Sequence, residues 1–501
     1  MEEKSDTRKP IPYSYLFRLV HWLLGLSMLV LMATGLSLHA IAQPDWSLTT
    51  GHLPWWFWPG RVNMVHLLAA IIFAAAVICS LIAYALRKRQ VRRSHLTLLI
   101  GGLVMFATAQ VLLNPMGPPV VYTLARLTHA IVGLVVLPVT LIWHVSVGLG
   151  RYRGLLVASF HPLARPKFFP VALFILVLAG VACLVLNGLP IQPAGKQLTA
   201  AKIAKPGKDL VDLQKLPWDE AKPLVVELAN GAGFVRGRTR VTLRALHDGD
   251  ELFVSAEWLD PTEDRQYQPW QKTSDGWKWL QTGGGDECVY YEDKFSLVFP
   301  IESDWQFDRF GCAASCHADS TRPHGHKDTE SKVDVWHWKS TRTDPVGQVD
   351  DKYWWKFDPS DKPGGRFGDP HQSGGYKKNV SEDKTRPAFL PDGPEAVKQG
   401  VILGEHAKPY TKEAAAKIRE GQIVPGIVAS PAVGDRGDIL CQSSHRDSVW
   451  KLLMRRKLDT GSQYDVRFIP GQSYPFGVAA FDCTSTRHAY DLSTYRLLLE
   501  Q

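Results

Sequence analysis

LTHAIVGLVVLPVTLIWHVSVG, residues 127–148, decides how the first part of this chain is read. It holds no carboxylate and no lysine or arginine, yet it holds two histidines. It lies in the apolar run Val120–Gly150, longer than the roughly 20 helical residues needed to cross a bilayer. Pro138 predicts a kink there. His129 and His144 are fifteen residues apart, which on a helix is about 60° in direction and roughly 22 Å along the axis. An ionisable side chain inside a span is expensive, so both histidines are candidate functional residues.

Four more apolar runs flank this one: Leu16–Ala42, Val62–Leu86, Leu96–Leu113, which is marginal in length, and Phe168–Leu189. Together they predict a five-helix transmembrane bundle over residues 1–190. Basic residues cluster before the first run (Lys4, Arg8, Lys9), between the second and third (Arg87, Lys88, Arg89, Arg92, Arg93) and between the fourth and fifth (Arg151, Arg153, Arg165, Lys167). The other two connections are nearly free of them. This bias predicts a multi-pass protein of the bacterial inner membrane, with a cytoplasmic N-terminus and, after an odd number of spans, a periplasmic C-terminal domain. Trp46, Trp55, Trp56 and Trp58 suit the outer interface. A cleaved signal peptide ending at Ala40–Ala42 is the rival reading of the first run, but that run is long and further spans follow. The net charge of +8 is explained by the orienting clusters, so nucleic acid is not expected as a partner.

His21 and His66 stand in the first two runs. The orientation puts His21 and His144 near the inner face, and His66 and His129 near the outer one. Two pairs of imidazoles at matched depths suit two low-spin b-type haems held by axial histidines. Arg18 and Arg126, each three residues before a proposed ligand, fit either haem propionates or headgroups. Gly25 and Gly35 fit either space for a macrocycle or helix packing.

The stretches RLVHWLLGLSMLVLMATG (18–35), NMVHLLAAIIF (63–73) and residues 127–148 resemble the di-haem cytochrome b subunits of nickel hydrogenases and formate dehydrogenases. The resemblance implies haems held by His21 with His144 and by His66 with His129. It also implies exchange of electrons with membrane quinone or quinol.

Residues 191–210 read as a linker, and 211–501 as a mainly-β sandwich domain. Val241, Leu243 and Ala245 alternate with polar residues, HDGD (247–250) turns, and Leu252, Val254, Ala256 and Trp258 alternate again. This is a hairpin with an Asp-Gly turn. Lys294–Phe299, Val449–Lys457, Asp465–Ile469 and Gly477–Phe481 are further strand candidates, and residues 397–421 suggest a short helix. The cysteines outside the motif below, Cys288, Cys441 and Cys483 in this half, support no disulfide framework.

The sharpest motif is GCAASCH, with Cys312, Cys316 and His317. Thioether attachment of haem ordinarily uses C-x-x-C-H. The extra residue still lets two thiols reach two vinyl groups, with His317 as proximal ligand of a c-type haem. A disulfide is one alternative. A zinc site is another, with His324 and His326 completing it. Met454 is the only methionine in this half, so a histidine is expected as distal ligand. The choices are His324, His326, His337, His371 and His406, with His337 favoured for its flanking Trp336 and Trp338.

YYEDKFSLVFPI (290–301), GCAASCH, DVWHWKS (334–340), DPVGQVDDKY (344–353), GDRGDI (434–439), RRKLDTGSQYDVRF (455–468) and YPFGVAAFD (474–482) resemble the ethylbenzene-dehydrogenase-related haem-binding domain. That domain is similar to the haem subunit of periplasmic molybdenum dehydrogenases of the DMSO-reductase superfamily. The resemblance implies a β-sandwich around one haem. In the dehydrogenase the haem is b-type and held by Met and Lys. This chain has an attachment motif and almost no methionine, so that ligand pair is not carried over.

The reading is a membrane cytochrome moving electrons between quinone and a periplasmic redox protein, either a molybdoenzyme or a soluble cytochrome. The alternative is a haem-dependent oxidoreductase anchored by its membrane part. No nucleophile–base pair, phosphate-cradling loop or molybdenum-type site is visible, and iron filled by protein ligands on both sides leaves no open position for substrate.

Overall fold

The computed structural model describes residues 15–42, 59–87, 93–113, 119–143, 196–206, 212–280, 289–304, 307–308, 311–312, 331–356 and 365–501. The chain divides into two compact units, a helical one over Met1–His39 and Val62–Gly195, and a second over Ala40–Arg61 and Lys196–Gln501 that is β-rich from Lys196 on.

The helical unit contains α1 (Tyr15–Ala42), α2 (Pro59–Arg87), α3 (Arg93–Leu113) and α4 (Pro119–Ile131). Leu, Ala and Met dominate these segments and are strong helix formers. Their inner faces meet through Met28, Phe73, Val77, Leu99 and Leu137. Gly101 and Gly102 allow close approach: a Cβ at Gly101 would stand 2.6 Å from Cδ2 of Leu137, and one at Gly102 3.0 Å from Cε1 of Phe73. The outer faces are equally apolar. Leu26, Leu29, Leu36, Leu68, Leu124 and Leu127 are each more than half exposed.

This corrects the expected five-helix transmembrane bundle. Among the described residues two helices are long and apolar enough to cross a membrane, over Leu19–Leu38 and Met64–Ile82. Thr97–Leu112 and Leu127–Trp143 are shorter apolar helices. Sixteen residues at 1.5 Å each give about 24 Å, less than a hydrocarbon core of about 30 Å. Phe168–Leu189 lies outside the described residues. Just ahead of Pro138 the helix carries a π-helical turn over Val132–Val136. Proline has no N–H to return to the preceding turn, and a wider turn accommodates that loss.

The second unit is a large β-sheet domain. In chain order its main strands are β1 (Gln197–Lys202), β2 (Leu224–Leu228), β3 (Thr239–His247), β4 (Glu251–Leu259), β5 (Lys294–Pro300), β6 (Val333–Lys339), β7 (Asp350–Trp354), β8 (Arg366–Gly368), β9 (Leu440–Arg446), β10 (Val449–Lys457), β11 (Ser473–Phe481) and β12 (Tyr495–Leu499). They form one sheet in the order β8-β7-β6-β5-β11-β12-β1-β3-β4-β10-β9, with β2 also on β3. The mainly-β domain expected from the sequence is built on one large sheet, continuous because β1 pairs in parallel with both β12 and β3. It folds over so that its halves meet face to face. Trp338 of β6 lies 5.8 Å from Trp258 of β4 and 5.0 Å from Trp450 of β10. The β3–β4 hairpin turns at Asp248–Gly249, with Gly249 at φ 93°, a backbone region that glycine enters without penalty. Asp465–Ile469 is not a strand, and residues 397–421 hold three short strands before the short helix, which runs over Lys412–Ala416.

Strand alternation sorts the side chains of β6. Asp334, Trp336 and Trp338 face the enclosed core with Phe295, Leu297 and Phe476. Val333, Val335, His337 and Lys339 face the other way, with Ser296 and Val298 of β5 and with Gly477 and Ala479 of β11.

Candidate functional site

In the helical unit, His66 of α2 and His129 of α4 come together with ring centres 6.3 Å apart. A metal ion bonded at about 2 Å to one nitrogen of each of two imidazoles puts the ring centres about 6 Å apart. The other nitrogens are engaged. Nδ1 of His66 is 2.8 Å from Oγ1 of Thr34 on α1, and Nδ1 of His129 is 2.8 Å from Oγ1 of Thr108 on α3. Each threonine hydroxyl already donates its proton to a carbonyl one turn back, Val30 at 2.7 Å and Val104 at 2.8 Å. Its oxygen is left to accept, so Nδ1 of each histidine is the donor and Nε2 carries the lone pair. A neutral imidazole fixed in this tautomer by an outer partner is the form that binds a metal.

Gly35, next to Thr34, adjoins this ring: a Cβ there would lie in ordinary contact, 3.5 Å from Cε1 of His66. A Cβ on Gly25 would meet nothing within 4 Å. His21 is on the same helix, with an exposed side chain. His144, its expected partner, lies outside the described residues, and so does the side chain of Arg126.

In the β unit, Cys312 packs against Val298, Phe307, Val333 and Val335 on the outer face of β5 and β6. Gly477 of β11 makes room for it: a Cβ there would stand 2.4 Å from the Cβ of Cys312. Cys316, His317, His324 and His326 lie outside the described residues. His337 is on the same sheet face, opposite Ser296. Its ring stacks on Phe481 at 5.6 Å and 27°. Its Nε2 is buried with no hydrogen-bond partner among the described residues, as are Oγ of Ser296 and Nε1 of Trp354. Burial holds the His337 imidazole well below its ordinary pKa, and the ammonium groups of Lys339 and Lys294 add to this. The ring is therefore neutral, as a ligand must be. His337 Nε2 and the Cys312 thiol, on one face of the sheet, would fit part of the donor set of a covalently held haem.

Sequence reasoning missed His488. It also lies against Phe481, with centroids 4.8 Å apart, and lines the same small cavity as Cys312, Gly477 and Tyr490. The Ala480–Ala489 bridge carries it there. Nδ1 of His488 is 3.0 Å from the Thr486 carbonyl, so the neutral ring has its lone pair on Nε2. Of the other histidines considered, His371 is exposed, and His406 is half-buried beside Glu405. Met454 is buried in the enclosed core, away from the face that carries His337.

Cys441 is a free buried thiol, whereas Cys483 is disulfide-bonded. One bonded cysteine is not a disulfide framework, which the cysteine count did not suggest.

The ethylbenzene dehydrogenase family model matches residues 216–493. This is more than half of the chain, and the chain belongs to that family. It thus contains a redox-related β domain preceded by two apolar helices of membrane-crossing length. No curated protein matches the chain. Among solved structures, it is similar to a family 9 carbohydrate-binding module from Caldicellulosiruptor kristjanssonii in complex with glucose, at 9% identity and TM-score 0.25, covering 61% of this chain and 96% of that one. The same module with cellotriose is similar at 8% identity and TM-score 0.24, covering 61% and 94%.

Proposed function

We propose that the protein is a membrane-anchored cytochrome that transfers electrons between the quinone pool and a periplasmic redox partner. The observation that carries this is the His66–His129 pair, two imidazoles at metal-bridging separation with both Nδ1 atoms fixed by threonines. Haem, when bound, supplies one-electron chemistry; the chain supplies ligands, orientation and a dry setting. The N-terminal unit is read as a di-haem cytochrome b, with His66 and His129 holding one b-type haem and His21 and His144 the other. Cys312 and Cys316 attach a c-type haem, with His317 as proximal ligand and His337 opposite it. Thr34 and Thr108 hold their histidines in the ligating tautomer and make them stronger donors.

Two observations support the cellular placement. The exposed leucines of α1, α2 and α4 suit contact with lipid. The bonded Cys483 suits an oxidising compartment for the β unit, which is also where thioether attachment would be carried out. The periplasmic placement now rests on that bond and on the attachment motif rather than on a count of spans.

The test uses the full chain in detergent. A short-chain quinol is added, and reduction of the thioether-linked haem is followed by stopped-flow absorbance. The proposal expects reduction in the wild type and at least about a tenfold slowing in His129→Ala. Reduction of that haem at an unchanged rate in His129→Ala would contradict it.

A further inference from the structure

On the enclosed face of the sheet, away from His337 and Cys312, the fold gathers five aspartates around one arginine. Asp334 of β6 and Asp351 of β7 stand on adjacent strands, and with Asp465 they bring carboxylate oxygens within 4.8 Å of one another. Asp369, just after β8, lies against Asp465, and Asp438, just before β9, lies against Asp351. Arg456 of β10, fully buried, pairs with Asp334 at 2.6 Å and with Asp465 at 4.0 Å. It also donates to the Val466 carbonyl. One guanidinium thus faces five carboxylates, which leaves four negative charges uncompensated if all are ionised.

The free oxygens identify what is missing. Asp334 Oδ1, Asp351 Oδ2, both oxygens of Asp369, Asp438 Oδ1 and Asp465 Oδ1 are buried without a hydrogen-bond partner among the described residues. Asp369 is 1% exposed, so water does not solvate it. A buried carboxylate with two unsatisfied oxygens is costly. Calcium takes 6–8 oxygen ligands at about 2.3–2.6 Å, so oxygens around one ion lie no more than about 5 Å apart. The number of free oxygens matches that demand, as does the spacing of the Asp334, Asp351 and Asp465 oxygens, and magnesium would retain several waters that a buried site disfavours.

We propose that Asp334, Asp351, Asp369, Asp438 and Asp465 form a structural calcium site that ties β6, β7 and the segments after β8 and β10 to the segment before β9. Arg456 makes it selective for a single divalent ion by neutralising part of the charge. The ion takes the place of protons that these groups otherwise hold: burial and mutual repulsion raise Asp334 to about 6, Asp438 to about 7 and Asp369 to about 9. A second buried group, Asp260, Asp293 and Asp482, differs in kind. Both oxygens of Asp293 already accept hydrogen bonds, from Asp264 N, Trp450 Nε1 and Cys483 N.

The test uses the full-length protein in detergent, with calcium alone as the probe. Bound metal is counted by mass spectrometry after dialysis, and unfolding is followed by tryptophan fluorescence, which Trp336 beside Arg456 reports. The wild type should retain one more equivalent of calcium than Asp369→Asn. EGTA should lower the wild-type midpoint by about 5 °C or more, and calcium should restore it. The Asp369→Asn midpoint should ignore both. If Asp369→Asn does not fold, Asp438→Asn takes its place, with at least about tenfold weaker calcium binding expected. Equal calcium content in wild type and variant, or a wild-type midpoint identical in EGTA and calcium, overturns the proposal and leaves the carboxylates sharing protons.

Discussion

Replacing Thr108 with valine removes one oxygen and almost no volume. The hydroxyl is the acceptor that holds Nδ1–H of His129 at 2.8 Å, and valine keeps the β-branched shape on α3. The Met105 backbone also hydrogen-bonds His129, so the variant removes the side-chain acceptor and leaves the backbone one. Outer-shell partners of metal-bound histidines are worth about 10–100-fold in affinity, or about 1.4–2.8 kcal/mol. The imidazole also becomes a poorer donor, which favours ferrous over ferric iron and raises the midpoint potential. The assay is redox potentiometry on the purified full chain, with b-type haem counted after acid–acetone extraction. Thr108→Val should lose part of its extractable haem on dilution, and the remainder should titrate at higher potential. Thr108→Ser, which keeps the acceptor, should restore both. If Thr108→Val keeps wild-type haem content and potential while His129→Ala loses a haem, then the threonine does not set the tautomer and this reasoning fails.

Three further outcomes are expected. A denaturing gel stained for haem peroxidase should show a full-length band that disappears when Cys312 and Cys316 are both alanine; a wild-type lane without stain would exclude covalent haem. His337→Ala should replace the low-spin spectrum of the covalent haem with a high-spin one, and if it does not while His488→Ala does, the distal role belongs to His488. In calcium-free buffer, stability should fall as pH rises from 6.5 to 8. Asp438, Asp260 and Asp369 have pKa values raised to about 7, about 8 and about 9, so the native state holds protons that the unfolded chain releases there. Below 6.5 the depressed His337 works in the opposite direction, and above 8 so does Lys339, lowered to about 8 by burial. Urea midpoints that rise between pH 6.5 and 8 would contradict this.

His66 and His129 were legible in the sequence because ionisable side chains interrupt apolar runs, and depth alone pairs them. Thr34 and Thr108 were not, because threonine is ordinary in an apolar helix and its target depends on how the helices are rotated. The β3–β4 hairpin was legible through alternation on both sides of Asp248–Gly249. The continuous sheet was not: β1 joins its halves through parallel pairing with β12, nearly three hundred residues away. The same distance hid His488, placed beside Phe481 by a bridge, and the aspartate cluster, whose members come from five separated segments. Hydropathy predicted five spans, whereas among the described residues two helices are long and apolar enough to cross a membrane.

The most direct test of the central claim is the haem count in His66→Ala and His129→Ala, measured by pyridine haemochrome on extracted and residual haem of the full-length protein. The account predicts that each variant loses the same single extractable b-type haem, that the double variant loses no more, and that the covalent haem is untouched. Full b-haem content in either single variant would show that these two histidines do not hold one haem between them.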